Sequence, residues 1–324
     1  MGVSFGELRA RCQLPVRHGN DVAGLLFGDW VSLPFTKFFV DRRLSPDVAT
    51  LGMLLCGLAG AALNWGAGGF AVAGAALLVL YYVLDCVDGE VARFRGVEDM
   101  RWGYYDYLFH LLVKPTSFVL VGAGVWRATG AAWPLFAGAA AAVATLWLKV
   151  FLQIPGILFL HGVMNGRPGG SRAFRRFVHV LGVPDAGLNG QPSVAAPSPS
   201  AAEQPAGTAP AFPLGFNLVT LRALFTNYDV GLLLLLAATL LDLTVVPVEL
   251  PLLGAVPLRG LWLLFYGCVL PLDFLDYLRT YLRAGHFASE TRRLLLLAHH
   301  YRFEPVPAAD EVPAQRSADR IARP

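Results

Sequence analysis

Apolar residues are concentrated in six runs, which are separated by short stretches containing charged residues, glycine or proline. The runs cover residues 48–65, 70–84, 107–126, 133–152, 230–246 and 258–278. Because a bilayer core about 30 Å thick requires about 20 mostly apolar residues in a helix, each run predicts a transmembrane helix. The pattern therefore predicts an all-α integral membrane protein with six transmembrane helices. Small residues share one face of the first helix and predict close helix packing there: Gly52, Cys56 and Gly60.

The N-terminal region mixes large apolar residues with charged ones. Between Asp21 and Val40, apolar side chains such as Trp30 are interspersed with Asp29 and Lys37. This mixture favours an N-terminal amphipathic helix that lies in the membrane interface. A loop packed on the ends of the transmembrane helices is the alternative.

The segment from Val183 to Pro213 is rich in alanine, proline, serine and glycine. Such a composition buries too little apolar surface to offset the entropy of the chain, and it predicts a disordered cytoplasmic linker. The end of the chain has a similar composition. The predicted organisation is a cytoplasmic or interfacial N-terminal segment (1–46), transmembrane helices 1–4 (47–182), the linker (183–216), transmembrane helices 5 and 6 (217–300), and a flexible cytoplasmic tail (301–324).

The overall composition excludes an ordinary soluble protein. Hydrophobic residues make up 55% of the chain and charged residues only 15%, whereas soluble domains carry about 25% charged residues. The net charge is only +3, and lysine and arginine are spread along the chain, so nucleic-acid binding has no support. The four cysteines show no CxxC spacing, which argues against a zinc site or a disulfide framework.

Basic residues are distributed unevenly between the two ends of the predicted helices. At the connections after the first, third and fifth runs the only basic residues are Arg127 and Arg259, and most other arginines lie on the opposite side. Because cytoplasmic loops retain lysine and arginine, both termini are predicted to face the cytoplasm. Arg172, Arg175 and Arg176 are interpreted as contacts of anionic head groups or as part of the same topological signal.

Acidic residues and a histidine occur at the facing ends of the second and third runs. Asp85 and Asp88 are three residues apart, and Asp106 and His110 are four apart, so each pair shares a helix face. Carboxylates at a membrane boundary are costly unless they are paired, hydrated or bound to a cation. Carboxylate oxygens suit Mg²⁺ or Mn²⁺, which in turn suit a diphosphate substrate. The sequence therefore predicts a metal site on the cytoplasmic side.

Gly89 and Arg93, which follow this acidic pair, suit a phosphate ligand. Gly89 permits close approach of a ligand or a neighbouring helix to the backbone. Arg93 supplies a planar donor fork that matches a pair of phosphate oxygens. The alternative interpretation is a solvated helix end, with Asp85, Asp88, Arg93 and Arg95 in surface ion pairs.

The run DCVDGEVAR, from Asp85 to Arg93, resembles the first half of the CDP-alcohol phosphatidyltransferase signature, DxxDGxxAR, eight residues, GxxxDxxxD. This half matches at every specified position, and Asp106 matches in the second half. The segment SPDVAT (45–50) resembles the Pro-Asn-x-x-Thr entry of that family into its first helix. The chain departs from the signature twice, with Trp102 at the second glycine and His110 at the fourth aspartate.

The resemblance implies a membrane transferase of phospholipid biosynthesis. Such an enzyme moves a phosphatidyl or other substituted phosphoryl group from a CDP-alcohol, such as CDP-diacylglycerol, to an acceptor alcohol and releases CMP. By resemblance, the metal ligands are Asp85, Asp88 and Asp106, the CDP contacts are Gly89, Ala92 and Arg93, and the catalytic base is His110. The expected cofactor is Mg²⁺ or Mn²⁺, the expected partners are the donor, the acceptor and the lipid bilayer, and a homodimer is left open.

Two other functions use similar residues. An intramembrane prenyltransferase also binds a diphosphate through aspartate pairs and Mg²⁺. The motifs of that class are DxxxD sequences repeated in two helices, which the continuous DGEVAR run does not resemble. A transporter can use intramembrane acids, lysine and histidine as a relay, but its charges are expected near the midplane. The acids here cluster at predicted helix ends.

Four further charged residues have weaker interpretations. Lys114 continues the helix face of His110 and is interpreted as a lysine that extends to the interface, with contact to an anionic acceptor as the alternative. Lys149 lies within the fourth run, where it is interpreted either as a site residue or as part of a structural ion pair. Asp273 and Asp276 repeat the three-residue acidic spacing, but no glycine or arginine follows, and they are interpreted as a helix end.

Overall fold

The computed structural model describes residues 3–16, 23–96, 100–164, 222 and 224–283. The chain divides into two compact units, Met1–Phe151 with Ala201–Arg279 and Leu152–Ser200 with Thr280–Pro324. The contacts below lie within the first unit. Several predictions concern residues outside the described ones: the linker at 183–216, the tail at 301–324, and the head-group contacts of Arg172, Arg175 and Arg176. The side chain of Trp102 also lies outside them.

The described elements are mainly helices. The helices are α1 (Phe5–Leu8), α2 (Asp29–Asp41), α3 (Pro46–Leu63), α4 (Gly69–Arg95), α5 (Met100–Thr129), α6 (Trp133–Met164), α7 (Tyr228–Leu241) and α8 (Leu258–Arg283), with π-helical turns at Arg9–Gln13 and Gly24–Gly28. The strands β1 (Val248–Leu250) and β2 (Gly254–Val256) pair antiparallel in a short hairpin before α8, which the sequence pattern did not predict.

Within the described part of the chain, five helices are long and apolar enough to cross a membrane. They are Pro46–Leu63, Gly69–Arg95, Gly103–Thr129, Trp133–Phe151 and Leu258–Thr280. They coincide with five of the six predicted runs and indicate an integral membrane protein. The prediction of a mainly helical membrane protein is therefore confirmed at this level.

The remaining run, 230–246, forms the shorter apolar helix α7. Its 14 residues span about 21 Å, less than the hydrocarbon core of a bilayer. The helix ends at Leu241, and the next residue, Asp242, contacts the start of α8. Its carboxylate accepts hydrogen bonds from the backbone N–H groups of Leu258, at 2.5 Å, and Arg259, at 3.1 Å. This carboxylate caps the N-terminus of α8 and holds the two helices together.

Close packing between α3 and α4 depends on small residues. A Cβ atom at Gly60 would lie 2.9 Å from the carbonyl oxygen of Gly74, and a Cβ atom at Gly74 would lie 2.8 Å from that of Gly60. Both distances are shorter than real Cβ contacts, so the two backbones meet where only glycine fits. The packing role predicted for Gly60 is confirmed, and α4 becomes the central helix of the unit, with α2, α3 and α7 against it.

The polar end of α4 is a continuation of the helix. Val87 and Val91 are fully buried, so the helix stays packed beyond the apolar run that ends at residue 84. It stops at Gly96, which adopts a left-handed backbone conformation with φ of 63° that favours glycine. The whole DCVDGEVAR run therefore lies on one rigid helix.

Helix α2 covers much of the region predicted as an amphipathic helix, and its pattern of burial is unusual. Its polar residues Ser32 and Thr36 are fully buried, whereas Trp30 and Phe38 are more than half exposed. The side chains packed against the unit are thus partly polar, and large aromatic side chains point away from it.

Candidate metal site

Helices α4 and α5 bring two aspartates and a histidine into one cluster. Asp85 comes from α4, and Asp106 and His110 lie one turn apart on α5. One ligand atom from each of the three lies within 4.8 Å of the others. His110 Nε2 lies 3.1 Å from Asp85 Oδ1 and 3.4 Å from Asp106 Oδ1. We refer to these three residues as the Asp–Asp–His cluster.

The cluster has an unsatisfied buried acceptor. Asp106 Oδ1 is buried and accepts no hydrogen bond from the described residues, because its 3.4 Å approach to His110 Nε2 lacks hydrogen-bond geometry. A buried carboxylate oxygen without a partner is costly, and a bound cation would satisfy it. The carboxylate oxygens suit Mg²⁺ or Mn²⁺, whereas an imidazole nitrogen is more typical of zinc, iron or copper sites. The three residues can hold a metal ion together, but their donor set does not select one.

Tyr81 orients the histidine from the other side. Its hydroxyl is hydrogen-bonded to His110 Nδ1, and the two rings pack edge to face with centroids 5.7 Å apart. Tyr81 is fully buried and lies one turn before Asp85 on α4, so both side chains reach the same histidine. The sequence analysis missed Tyr81, although the four-residue spacing to Asp85 is a signal that could have found it.

The Tyr81 hydrogen bond determines what His110 Nε2 can do. When the tyrosine donates to Nδ1, the imidazole proton is on Nε2 and is donated to Asp85. When Nδ1 carries the proton and donates to the tyrosine oxygen, Nε2 has a free lone pair that can accept a proton or bind a metal ion.

Asp88 lies outside the Asp–Asp–His cluster. Thr50 Oγ1 donates a hydrogen bond of 3.0 Å to Asp88 Oδ2 and also contacts the carbonyl oxygen of Pro46 at 3.3 Å. Thr50 is the threonine of the SPDVAT segment, in the first turns of α3. The contact thus joins two segments that the sequence analysis had linked only by resemblance.

The predicted CDP contacts follow on the same helix. A Cβ atom at Gly89 would lie 3.0 Å from Nη1 of Arg93, so the glycine leaves room for the guanidinium group to lie along the helix. Arg93 Nε donates a 2.6 Å hydrogen bond to the carbonyl oxygen of Cys12. Among the described residues, neither Nη atom of Arg93 has a hydrogen bond or ion pair. Ala92 is partly buried beside Arg93.

Two lysines lie near the cluster. Lys114 Nζ is 3.9 Å from Asp229 Oδ1 and 4.9 Å from the centre of the Tyr228 ring. Lys149 Nζ lies 4.8 Å from the centre of the Tyr107 ring, and no carboxylate of the described ranges lies within 4.0 Å of it. Asp229 was missed by the sequence analysis, and it is the partner that pairs α5 with the start of α7.

The second acidic pair is neutralised by an arginine. Arg222 binds Asp273 at 2.5 Å and Asp276 at 2.6 Å. Among the described residues, Asp273 and Asp276 belong to no group of three side chains that could hold a metal ion. Helix α8 continues to Arg283, so both aspartates lie within the helix and not at its end, contrary to that part of the sequence-based interpretation.

Neither protein-family models nor curated proteins provide a relative of this chain. No protein-family model matches the chain, and a search of curated proteins finds no match. The chain is thus defined by its own geometry: an integral membrane protein with a partly buried Asp–Asp–His cluster between two apolar helices.

Proposed function

We propose that the protein is a membrane-embedded transferase that moves a phosphatidyl or other substituted phosphoryl group from a CDP-alcohol to an acceptor alcohol and releases CMP. The observation that carries the proposal is the Asp–Asp–His cluster. Its Asp85 lies on α4, the helix that continues through the DGEVAR run, so one predicted cation ligand and the predicted phosphate contacts share a rigid element.

The carboxylates provide the cation site in this proposal. Asp85 and Asp106 hold Mg²⁺ or Mn²⁺, with Asp88 beside them on α4. When bound, the cation neutralises charge on the diphosphate and on the departing CMP. The unsatisfied Asp106 Oδ1 supports this assignment, because it is the atom that most needs a cation.

His110 acts as the general base. Its Nε2 accepts the proton of the acceptor hydroxyl while the acceptor oxygen forms a bond to phosphorus, and the bond from phosphorus to the CMP oxygen breaks. This role requires the proton on Nδ1, donated to Tyr81. Asp85 and Asp106 then stabilise the positively charged imidazolium.

Arg93 binds the phosphates of the donor. Its Nε is already held by the backbone of Cys12, so the plane of the guanidinium group is fixed before the donor arrives. A fixed planar fork loses little entropy when it binds two phosphate oxygens. Gly89 leaves room for the Arg93 guanidinium group, and Ala92 is the small residue beside it that lines the nucleotide site.

The same proposal includes the finer topology. Helix α7 is the sixth membrane helix, with flanking residues completing the span beyond its 14 residues, and α2 lies in the interface with its exposed aromatic side chains in the lipid. Both termini and the site face the cytoplasm, which the arginine distribution supports. The donor lipid then reaches the site from the cytoplasmic leaflet.

The experiment is a CMP-release assay on the purified full chain in lipid nanodiscs. CDP-diacylglycerol, Mg²⁺ or Mn²⁺, and a panel of alcohols, including glycerol 3-phosphate, inositol phosphate and serine, are supplied. We expect CMP release that requires both a cation and one of the alcohols. Absence of CMP release together with absence of CDP binding would contradict the proposal, and pyrophosphate release from a prenyl diphosphate would instead support a prenyltransferase.

A further inference from the structure

Glu90, within the DGEVAR run, is a buried carboxylate that points away from the Asp–Asp–His cluster. Only 2% of the residue is exposed. From the described residues it accepts three hydrogen bonds: from Gln13 Nε2 at 2.8 Å, from Ser32 Oγ at 2.7 Å and from Thr36 Oγ1 at 2.5 Å. A buried carboxylate is tolerated when its oxygens are satisfied in this way.

All three donors come from the N-terminal region, which we call the N-terminal arm and define as residues 3–16 and 23–41. The donors are 77, 58 and 54 residues from Glu90 in the sequence. Gln13 Nε2 also donates to the carbonyl oxygen of Asp29 at 2.6 Å, which joins the two parts of the arm. One carboxylate on α4 therefore organises the whole arm.

The arm makes a second polar contact with α4 one turn after Glu90, at Arg93. Cys12 is the neighbour of Gln13, and its carbonyl oxygen accepts the hydrogen bond from Arg93 Nε. Because Glu90 and Arg93 are three residues apart on a helix, the chain from Glu90 through Gln13 and Cys12 to Arg93 closes a ring of contacts. Any loosening of the Gln13 contact therefore moves the acceptor that orients Arg93.

Apolar contacts hold this part of the arm in place. Leu8, Cys12 and Leu33 are buried together against Phe94, which follows Arg93. The guanidinium carbon of Arg11 lies 4.9 Å from the centre of the Phe94 ring. Burial and the negative charge of Glu90 raise the pKa of the Cys12 thiol to about 11. This thiol is therefore a buried and unreactive reporter of arm docking.

We propose that Glu90 is a positioning residue for the donor site: through Gln13 and the Cys12 carbonyl it fixes the orientation in which Arg93 presents its two Nη atoms to the phosphates of a CDP-alcohol. The proposal rests on the proposed function. It adds a specific requirement, namely that the N-terminal arm contributes to donor binding through the orientation of Arg93.

The test compares arm variants with a matched buried control. Gln13→Met and Thr36→Val each remove a donor to Glu90, and Glu90→Gln removes the charge at nearly constant volume. Thr239→Val is the control, because Thr239 is equally buried but bonds only to the backbone of its own helix α7. Arg93→Ala is the reference for complete loss of the guanidinium contact.

Two quantities are measured on the full chain in nanodiscs: the Kd of CDP with Mg²⁺ by calorimetry, and KM and kcat for CDP-diacylglycerol and for the acceptor. We expect the arm variants to raise the Kd of CDP and the KM of the donor about tenfold, as for loss of one hydrogen bond to a charged group. The acceptor KM and kcat should change less than twofold. Combining Gln13→Met with Arg93→Ala should add nothing to Arg93→Ala alone.

Labelling of Cys12 with a maleimide, quantified by mass spectrometry, shows whether the arm is released. We expect faster labelling in Gln13→Met than in the wild type or in Thr239→Val. If Cys12 becomes reactive while the Kd of CDP stays constant, the arm is merely structural and the inference is wrong. If the wild type binds no CDP, the proposed function itself fails. If CDP binding is weakened in Arg93→Ala but not in the arm variants, only the role of Glu90 is overturned.

Discussion

Two pairs of aspartates with the same three-residue spacing have different surroundings. Asp85 and Asp88 lie within α4, where Asp85 meets Asp106 and His110 from α5. Asp273 and Asp276 lie within α8, where both carboxylates bind Arg222. Beside the first pair, the buried Asp106 Oδ1 has no hydrogen bond from the described residues, whereas the second pair meets a permanent cation. Spacing on a helix thus places two carboxylates on one face, but the neighbouring element decides whether they are available for a metal ion.

The largest difference between the two pairs is expected in cation-dependent activity. Asp106→Asn removes the charge next to Asp85 and should lower kcat/KM for CMP release more than about 1,000-fold, because both donor binding and charge stabilisation require the cation. Mn²⁺ binding, followed by electron paramagnetic resonance, should be lost in parallel. Asp273→Asn is the matched control and should retain activity. Equal losses in both variants would show that the two pairs are not distinct.

His110→Ala separates a base from a metal ligand. We expect a loss of kcat of about 1,000-fold, as for removal of a general base, while binding of the CDP-alcohol persists. Mn²⁺ affinity should change little if the carboxylates alone hold the cation. Full activity in this variant would disprove the base assignment, and loss of Mn²⁺ binding would instead make His110 a ligand.

Tyr81→Phe tests the hydrogen bond that determines the imidazole tautomer. The ring and its packing against His110 are retained, so we expect normal folding and a decrease in kcat of about tenfold with an unchanged donor KM. Tyr266→Phe is a suitable control, since the hydroxyl of this fully buried tyrosine has no hydrogen-bond partner among the described residues. An unchanged kcat in Tyr81→Phe would remove tautomer control from the mechanism.

The smallest effect is expected at the second pair. Arg222→Ala breaks both ion pairs, but the arginine side chain is 50% exposed, so the loss of stability should be about 1 kcal/mol or less. CMP release should stay at the wild-type level, and thermal unfolding should shift by about 4 °C at most. A strong decrease in activity would show that this end of α8 belongs to the site.

The limits of the predicted helices show what hydropathy can and cannot indicate. The second apolar run ends at residue 84, yet α4 continues to Arg95, because Val87 and Val91 remain buried and no residue before Gly96 ends the helix. The fifth run extends to residue 246, yet α7 ends at Leu241, since Asp242 caps α8. Hydropathy reports the apolar surface, whereas helix ends depend on caps and on tertiary partners.

The candidate site was predictable in part for a similar reason. Asp85, Asp106 and His110 were identified from helical spacing, and the structure brings them together. Asp88 shares the face but is held by Thr50, which comes from another helix. Tyr81 and Glu90 were missed because their importance comes from residues that lie far away in the sequence.

By itself, the sequence determined the apolar helices, the faces on which their charged residues lie, and the continuous DGEVAR run, because these depend on local composition and on the 3.6-residue period of the helix. Tertiary structure alone decided that α4 and α5 share a histidine, that Arg222 neutralises the second acidic pair, and that the N-terminal arm docks on Glu90. Such contacts depend on how closely two helices approach and how each is rotated. Gly60 and Gly74 set such an approach between α3 and α4, and buried polar groups require specific partners.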